Sequence, residues 1–431
     1  MAARLEPCFA PPPARLEAAA AYARGSAVRG RRPPIRRATA GPVRCVRRRA
    51  GATPRATAAP AAAGSAAAPA AEAAKEPSLL LLRVAAGLPV DRPPVWLMRQ
   101  AGRYMAAFRA YSEKYPFRLR SETPDIAIEL SLQPYRAYGV DATIMFSDIL
   151  TPLPALGVEF DVVPGKGPVI ASPLRDAAAV TAVVATPLEP SEKLPFVGEI
   201  LRSLRRELEA QPTAVMGFVG APFTLAAYAV EGQADKHLKA TKGMMASADG
   251  RAILHDLLAK LATSIGEYAV HQVDSGAHAV QLFDSWAHHL SPADYRVWAL
   301  PYARTVAEAV RAAHPGVPVF FFANGSAGKL EDIAAVLGDV VDVVSLDWGV
   351  GMAAGRERLG RGLVAQGNSD PMVLYAGDDA TVRAEVYATC AAAGRGHILN
   401  LGHGVMQGTP EAAVGVFCDA ARAFQYAEHG L

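Results

Sequence analysis

The feature that most constrains this chain is an eightfold alternation of short apolar runs with helix-like stretches. The runs occupy residues 94–97, 142–146, 214–218, 279–283, 317–322, 341–346, 363–365 and 398–401. Short continuous apolar runs are typical of parallel strands buried on both faces, and the intervening stretches are long enough for crossover helices. Eight strand–loop–helix units predict an α/β fold, a single (β/α)8 TIM barrel.

Polar residues follow nearly every run. They are Arg99, Arg103, Ser147, Asp148, Tyr228, Asp284, Ser285, Asn324, Asp347, Trp348, Gln366, Asn368, Asp370 and His403. In a TIM barrel the loops after the strands meet at one end and form the active site. The pattern therefore predicts an enzyme and indicates which loops hold its site.

The N-terminal segment differs from the rest of the chain. Residues 1–71 contain thirteen arginines, no lysine and two glutamates, a net charge of +11 against +3 for the whole chain, so −8 remains for residues 72–431. A segment rich in Ala, Arg and Pro without a lasting hydrophobic period cannot offset its ordering entropy. Its acid-poor, Arg-rich composition is typical of an organellar transit peptide, and a basic tail that binds RNA or another acidic surface is the alternative. We predict a disordered transit peptide and linker at 1–76 and the barrel at 77–431.

Several classes of protein do not fit the sequence. No apolar run reaches 18 residues, which argues against a membrane span, and the body has no basic face for nucleic acid. Only two of the four cysteines lie in the body and no C-x-x-C occurs, which agrees with a reducing compartment. Residues 325–330 lack the first Gly and the final Ser/Thr of a phosphate loop, and His278, His288 and His289 have no metal-ligand spacing with a Cys or Glu partner.

Two arginines lie four residues apart after the first run. Arg99 and Arg103 flank a glycine and can both aim at one anionic group, because guanidinium binds carboxylates bidentately and keeps its charge. Two solvated arginines on a helix face are the alternative.

Four further residues are candidates for the site. Asp148 is followed by apolar residues, which indicates a carboxylate in a partly dry cleft, although a helix cap is an equal alternative. Tyr228 faces the mouth or packs in the core. Ser285 lacks a G-x-S-x-G elbow, so we interpret it as a hydrogen-bond donor rather than a nucleophile. His403 lies between two glycines after the last run, where it is well placed to contact a ligand.

Together these motifs resemble the uroporphyrinogen decarboxylase family of haem and chlorophyll biosynthesis. The segments that carry the resemblance are 98–104, 146–150, 165–168, 220–225, 283–286, 366–368 and 400–404. They occur in family order over residues 90–412, so the resemblance covers most of the chain beyond the N-terminal segment.

The resemblance implies a reaction without a cofactor or metal. Four acetate side chains of uroporphyrinogen III become methyls, which gives coproporphyrinogen III. It also implies that Asp148 faces the pyrrole N–H groups and stabilises a cationic ring, while Arg99 and Arg103 hold substrate carboxylates and one of them helps to deliver the proton; these three are the expected catalytic residues. The other contacts that it implies are Ala101, Tyr228, Ser285 and His403. It further implies a homodimer with facing clefts and an address in the plastid stroma, with the mitochondrion as the alternative.

The sequence departs from the family pattern at several positions. Residues 105–107 replace a usual Leu-Pro-Glu, Ser112 stands where many relatives carry a basic residue, Phe223 replaces a common Trp, and Ser369 a frequent Leu. A related barrel methyltransferase with a His/Cys zinc site is the first alternative, but no His here has a Cys two residues later. A non-catalytic tetrapyrrole carrier is the second.

Overall fold

The structure, a computed structural model, describes residues 78–163 and 165–431. The predicted transit peptide and linker at 1–76 lies outside the described residues. Within the described part of the chain, no helix combines the length and the apolar character needed to cross a bilayer.

The strands follow the predicted apolar runs closely. They are β1 (Ala142–Ile144), β2 (Phe160–Val163), β3 (Gly167–Ile170), β4 (Ala214–Gly220), β5 (Ala279–Asp284), β6 (Val319–Ala323), β7 (Val343–Ser345), β8 (Val364–Ser369) and β9 (His397–Leu401). β1 and β4 to β9 form one parallel sheet of seven strands in chain order, and β2 and β3 form a separate antiparallel pair. The prediction of an α/β barrel is confirmed.

The first predicted run closes the barrel without forming a full strand. Val95 makes an isolated parallel bridge to Leu399 of β9. On its other side, the Val95 carbonyl accepts a hydrogen bond from the Asp141 N–H at 2.8 Å, next to β1. The ladder stays this short because Pro93 and Pro94 have no N–H to donate.

Helices follow the strands along the chain. They are α1 (Leu80–Ala85), α2 (Ala106–Ser112), α3 (Phe117–Glu122), α4 (Pro124–Tyr138), α5 (Ala177–Ala185), α6 (Pro190–Lys193), α7 (Pro195–Glu207), α8 (Pro222–Glu231), α9 (Lys239–Ala246), α10 (Ala248–Asp274), α11 (Pro292–Trp298), α12 (Leu300–Ala313), α13 (Leu330–Leu337), α14 (Met352–Leu359), α15 (Pro371–Ala376), α16 (Asp379–Ala393) and α17 (Glu411–Ala423). Short 3₁₀ turns lie at Pro154–Leu156, Ala287–His289 and Tyr426–His429.

The core lies between the sheet and these helices. Every residue of β4 is buried, as expected for a parallel strand covered on both faces. Pro222 at the first turn of α8 starts the helix directly after β4, because its fixed φ suits that position. This sharp strand-to-helix junction brings Thr224 and Tyr228 to the carboxyl end of the barrel.

Candidate active site

Asp148 lies in the loop that leaves β1 at the carboxyl end of the barrel. Just before it, the Phe146 N–H donates to Ser131 Oγ of α4 at 2.7 Å. Asp148 Oδ1 accepts a hydrogen bond from the Leu150 N–H at 2.8 Å. The carboxylate thus closes its own turn rather than capping a helix, since the next helical turn begins only at Pro154. These bonds hold a half-buried carboxylate in a defined position.

Three side chains at this end share one electrostatic environment. Burial raises the pKa of Asp148, while the Leu150 N–H and the Arg99 guanidinium lower it. Burial also raises the pKa of Tyr228, and the Asp148 carboxylate adds to that rise while Arg99 opposes it. Asp148, Arg99 and Tyr228, predicted from separate motifs, therefore meet at one site.

The loop that carries Arg99 is held to the barrel by its neighbours. Arg99 has a φ of 55°, in the left-handed region that costs a residue with a Cβ roughly 1–2 kcal/mol. The buried side chain of Gln100 donates to the Ala142 carbonyl of β1 at 3.1 Å, and the Met98 N–H donates to Asn400 Oδ1 of β9 at 3.0 Å. The sequence reasoning missed Gln100 in this role, although it lies inside the arginine motif.

Arg103 has different neighbours from Arg99. Its side chain is exposed, and its charge adds to burial in lowering the pKa of the Arg120 guanidinium in α3. The charge of Arg99 instead lowers the pKa values of Asp148, Tyr228 and His403, in each case as a smaller effect than burial. The partly buried Ala101 lies between the two arginines in the chain. The structure thus gives two cationic positions at the mouth of the barrel, each with its own surroundings.

Ser285 follows β5 between two anchored residues. The buried Asp284 accepts hydrogen bonds from Thr224 Oγ1 at 2.6 Å and from the Tyr295 hydroxyl at 2.8 Å. The Trp286 N–H donates to the same Thr224 oxygen at 3.1 Å. Burial raises the pKa of Asp284 to about 6, although both hydroxyl donors lower it. This network holds the half-buried Ser285 at the carboxyl end of the strand.

A buried lysine supplies the countercharge to this network. Lys329 belongs to the segment that fails as a phosphate loop, and its Nζ donates to the Gly325 carbonyl at 2.9 Å and lies 5.6 Å from the centre of the Tyr295 ring. Burial lowers its pKa, whereas the carboxylates of Asp284 and Asp347 raise it. Sequence reasoning did not find this role, because the three charges are distant in the chain.

His403 is half-buried after β9. Burial, reinforced by the charge of Arg99, lowers its pKa to about 4. Its ring lies edge-on to Trp348, with 5.9 Å between ring centres. A histidine with this pKa is neutral at pH 7, so its imidazole is available as an uncharged hydrogen-bonding group.

Aromatic rings line part of the same end. The Phe283 ring lies between those of Phe218 and Phe322, with centres 5.7 Å and 6.0 Å apart. The Tyr228 ring packs on Trp286 at 3.9 Å, so this tyrosine packs and also lies in the field of Asp148. The mouth therefore combines apolar ring surface with fixed charges, as binding sites for amphipathic ligands do.

Two polar residues within β8 and one directly after it serve the framework instead. Gln366 is fully buried and accepts a hydrogen bond from Trp96 Nε1 at 2.8 Å inside the barrel. The Asn368 amide donates to the carbonyls of Asp347 and Val350, both at 2.7 Å. Asp370 caps α15, because its Oδ1 accepts a hydrogen bond from the Met372 N–H at 2.9 Å. Among the described residues, no group of three His, Cys, Asp or Glu side chains is arranged to hold a metal.

Known proteins of one family are similar to this chain. The sequence profile of the family described as uroporphyrinogen decarboxylase (URO-D) matches residues 76–424. Uroporphyrinogen decarboxylase of Crocosphaera subtropica is 52% identical over 344 residues, which cover 79% of this chain and 95% of that protein. The enzyme of the same name from Nostoc punctiforme is 52% identical over 349 residues, covering 80% and 96%.

A solved structure shows the same fold at lower identity. A methyltransferase from Methanosarcina mazei superposes with a TM-score of 0.64 at 19% identity, over 79% of this chain and 97% of that one. That likeness concerns the fold alone. The profile match and the sequence identities go further: the chain belongs to the uroporphyrinogen decarboxylase family.

Proposed function

We propose that this chain decarboxylates the four acetate side chains of uroporphyrinogen III to methyls, without a cofactor, and so produces coproporphyrinogen III. As a member of its family it is a carboxy-lyase of tetrapyrrole biosynthesis. The observation that carries the proposal is the half-buried Asp148 carboxylate, fixed by its own turn and close to Arg99 and Tyr228.

The chemistry requires a place for the electrons that decarboxylation leaves behind. Protonation of a pyrrole carbon beside the acetate makes the ring cationic, and the pair from the breaking C–C bond then neutralises that ring as carbon dioxide leaves. A proton added to the resulting exocyclic methylene makes the methyl, and the ring carbon returns its proton. The protein must stabilise the cationic ring, and a preorganised carboxylate in a partly dry site does so strongly.

Each predicted residue receives a role in this scheme. Asp148 accepts hydrogen bonds from the pyrrole N–H groups and stabilises the cation. Arg99 and Arg103 bind substrate carboxylates, and they concentrate positive potential at the mouth of a body whose net charge is −8 over residues 72–431. Peripheral polar contacts come from Tyr228, Ser285 and His403, with His403 acting as a neutral imidazole, and the backbone of Ala101 contacts the ring.

The decisive experiment is anaerobic turnover of uroporphyrinogen III by the full chain and by Asp148→Asn. We expect wild type to yield products with fewer carboxyl groups, and the variant to lose about 10²–10³-fold in kcat while still binding the tetrapyrrole. Asp161→Asn, an exposed carboxylate in β2, is the matched control and should retain full activity. An Asp148→Asn enzyme with wild-type kcat would contradict the assigned mechanism.

The same experiment separates the carrier alternative. A wild-type protein that binds the tetrapyrrole and releases no carbon dioxide would be a carrier and not an enzyme. The family membership and the assembled side chains of Arg99, Asp148 and Tyr228 favour turnover.

We also propose a homodimer with facing clefts and a plastid address for residues 1–76. The relatives in Crocosphaera and Nostoc are cyanobacterial, which favours the plastid over the mitochondrion. Analytical ultracentrifugation tests the dimer, and a monomeric mass at micromolar concentration would contradict it. A fluorescent protein fused after residue 76 tests the address, and mitochondrial fluorescence would select the alternative.

A further inference from the structure

A buried arginine without a partner lies in α3. Arg120 is 8% exposed, and its Nε and Nη1 are fully enclosed and have no hydrogen-bond partner among the described residues. Its guanidinium carbon lies 5.3 Å, 5.4 Å and 5.9 Å from the ring centres of Phe108, Phe117 and Phe146. Three aromatic rings therefore enclose one permanent positive charge.

Arg120 remains unpaired although Glu122 lies in the same helix and Glu159 lies close to it. Arg118, two residues earlier, has its Nε 2.6 Å from Glu122 and its Nη1 3.1 Å from Glu159. Buried arginines are ordinarily paired, because desolvation of an unpaired charge is costly. Contacts with aromatic faces offset only part of that cost. The acids of this region thus pair with Arg118 and leave Arg120 without an anion.

A second cation, Arg103, acts electrostatically on Arg120. Burial lowers the pKa of Arg120, and the charge of Arg103 lowers it further. Two guanidinium groups near one another and without an acid are unfavourable in the empty protein. An anion placed against both would relieve the repulsion and recover part of the desolvation cost.

This pair of arginines lies beside the proposed site. Phe146, which packs on Arg120, directly precedes the Ser147–Asp148 loop, and Phe108 belongs to α2, which follows the loop of Arg99 and Arg103. Beside the larger effect of burial, the charge of Arg99 lowers the pKa of Asp148, whereas the charge of Arg103 lowers the pKa of Arg120. The position and the charge both suit a carboxylate at the edge of a bound tetrapyrrole.

We infer that Arg120 and Arg103 form a subsite for one substrate carboxylate other than the acetate that reacts. The inference rests on the proposed function for the identity of the ligand. Arg120 is then a substrate-positioning residue: its contribution appears in binding and in KM, and the chemical step at Asp148 proceeds without it.

The test uses the full chain in four forms: Arg120→Met, Arg103→Gln, the double variant, and Arg118→Gln as the matched arginine control. Uroporphyrin, the stable oxidised macrocycle, is titrated by absorbance, which needs no turnover. KM and kcat for uroporphyrinogen III and the melting temperature are measured in parallel. Arg120→Lys, which keeps the charge but loses the planar fork, is the conservative variant.

We expect Arg120→Met to weaken uroporphyrin binding and to raise KM about tenfold, as the loss of a charge-assisted hydrogen bond does, with kcat within about twofold. Its melting temperature should stay level or rise, because an apolar side chain suits the phenylalanine cage better than an unpaired charge. Arg120→Lys should recover part of the binding, and Arg118→Gln should bind as wild type. The double variant should lose less than the product of the two single losses, since both residues hold one group.

The subsite would be overturned if Arg120→Met bound uroporphyrin and turned over uroporphyrinogen III with wild-type affinity and KM. It would also be overturned if Arg118→Gln lost as much affinity as Arg120→Met, or if the loss of affinity in the double variant equalled the product of the two single losses. Arg120→Gln is a second neutral replacement, and failure of both neutral variants to fold would make Arg120 purely structural. If wild type binds uroporphyrin without turning over uroporphyrinogen, the proposed function fails. The uroporphyrin affinities of the variants would still test the subsite, because they need no turnover.

Discussion

The side chain of Arg99 lies directly on the backbone of Gly404. A Cβ built at position 404 would lie 2.7 Å from Arg99 Cγ and 2.9 Å from its Cβ, closer than real contacts allow. The glycine after His403 therefore lets the arginine pass across the loop that follows β9. This contact joins the first and the last predicted motifs of the site.

Gly404→Ala should displace Arg99 and lower kcat/KM about 10- to 100-fold, because small misplacements of positioning groups are costly in catalysis. Steady-state kinetics with uroporphyrinogen III measure the effect. Gly415→Ala in α17 is the matched control, since no atom beyond the neighbouring residues of its own helix lies within 4 Å of the added Cβ. That control should keep its activity and gain about 0.5–1 kcal/mol in unfolding free energy from helix propensity.

Gln100→Met should loosen the arginine loop. The substitution removes the bond to the Ala142 carbonyl and leaves that buried acceptor unpaired, at a cost of about 1–3 kcal/mol in unfolding free energy. KM should rise together with this loss, because Arg99 and Arg103 flank the altered residue. Urea denaturation and kinetics measure the two effects, and Gln407→Met at an exposed position is the control. Equal unfolding free energies for Gln100→Met and wild type would show that the bond is dispensable.

Tyr295→Phe should destabilise the network under Ser285. Asp284 would keep only the Thr224 hydroxyl, and an underpaired buried carboxylate costs about 1–3 kcal/mol of unfolding free energy. The pKa of Asp284, already raised to about 6 by burial, should rise further. Denaturation curves measure the loss, with Tyr375→Phe at an exposed tyrosine as the control. If both variants unfold at the same urea concentration, the hydroxyl of Tyr295 contributes nothing.

His397 should make the fold sensitive to mild acid. Its Nε2 lies 2.7 Å from the Gly367 carbonyl, its Nδ1 is buried without a partner, and burial lowers its pKa to about 4. Between pH 6.5 and pH 4 the unfolded chain binds a proton that the folded chain does not, so unfolding free energy falls as the pH falls. This histidine accounts for about 3 kcal/mol of that loss.

The check is urea denaturation of wild type and His397→Gln at pH 7 and pH 5. The variant should lose less stability across this interval, because glutamine keeps a donor for Gly367 and does not titrate. His237→Gln, at an exposed position, should follow wild type. If His397→Gln lost as much unfolding free energy between pH 7 and pH 5 as wild type, other groups would be responsible. One such group is His278, because burial lowers its pKa to about 4 as well.

The part of the site that sequence could predict consists of residues next to strand ends. Asp148, Ser285 and His403 each follow an apolar run, and the barrel topology brings such positions to one end. Gln366, Asn368 and Asp370 follow the same rule and yet bond within the framework, because position along a strand does not reveal where a side chain finds its partner. The sites of Lys329 and Arg120 were not predictable at all from local pattern.

The sequence by itself determined the barrel, the order of its strands and the family. The alternation of apolar runs with helical stretches and the order of the motifs can both be read along the chain, because they are local properties. Only the tertiary structure decided how the charges are shared. It placed Arg99 against Gly404 and within the electrostatic field of Asp148, brought Lys329 into the field of Asp284 and Asp347, and exposed Arg120 to the charge of Arg103. Electrostatic interactions depend on distance and burial, and neither can be known before residues that are remote in the chain have packed together.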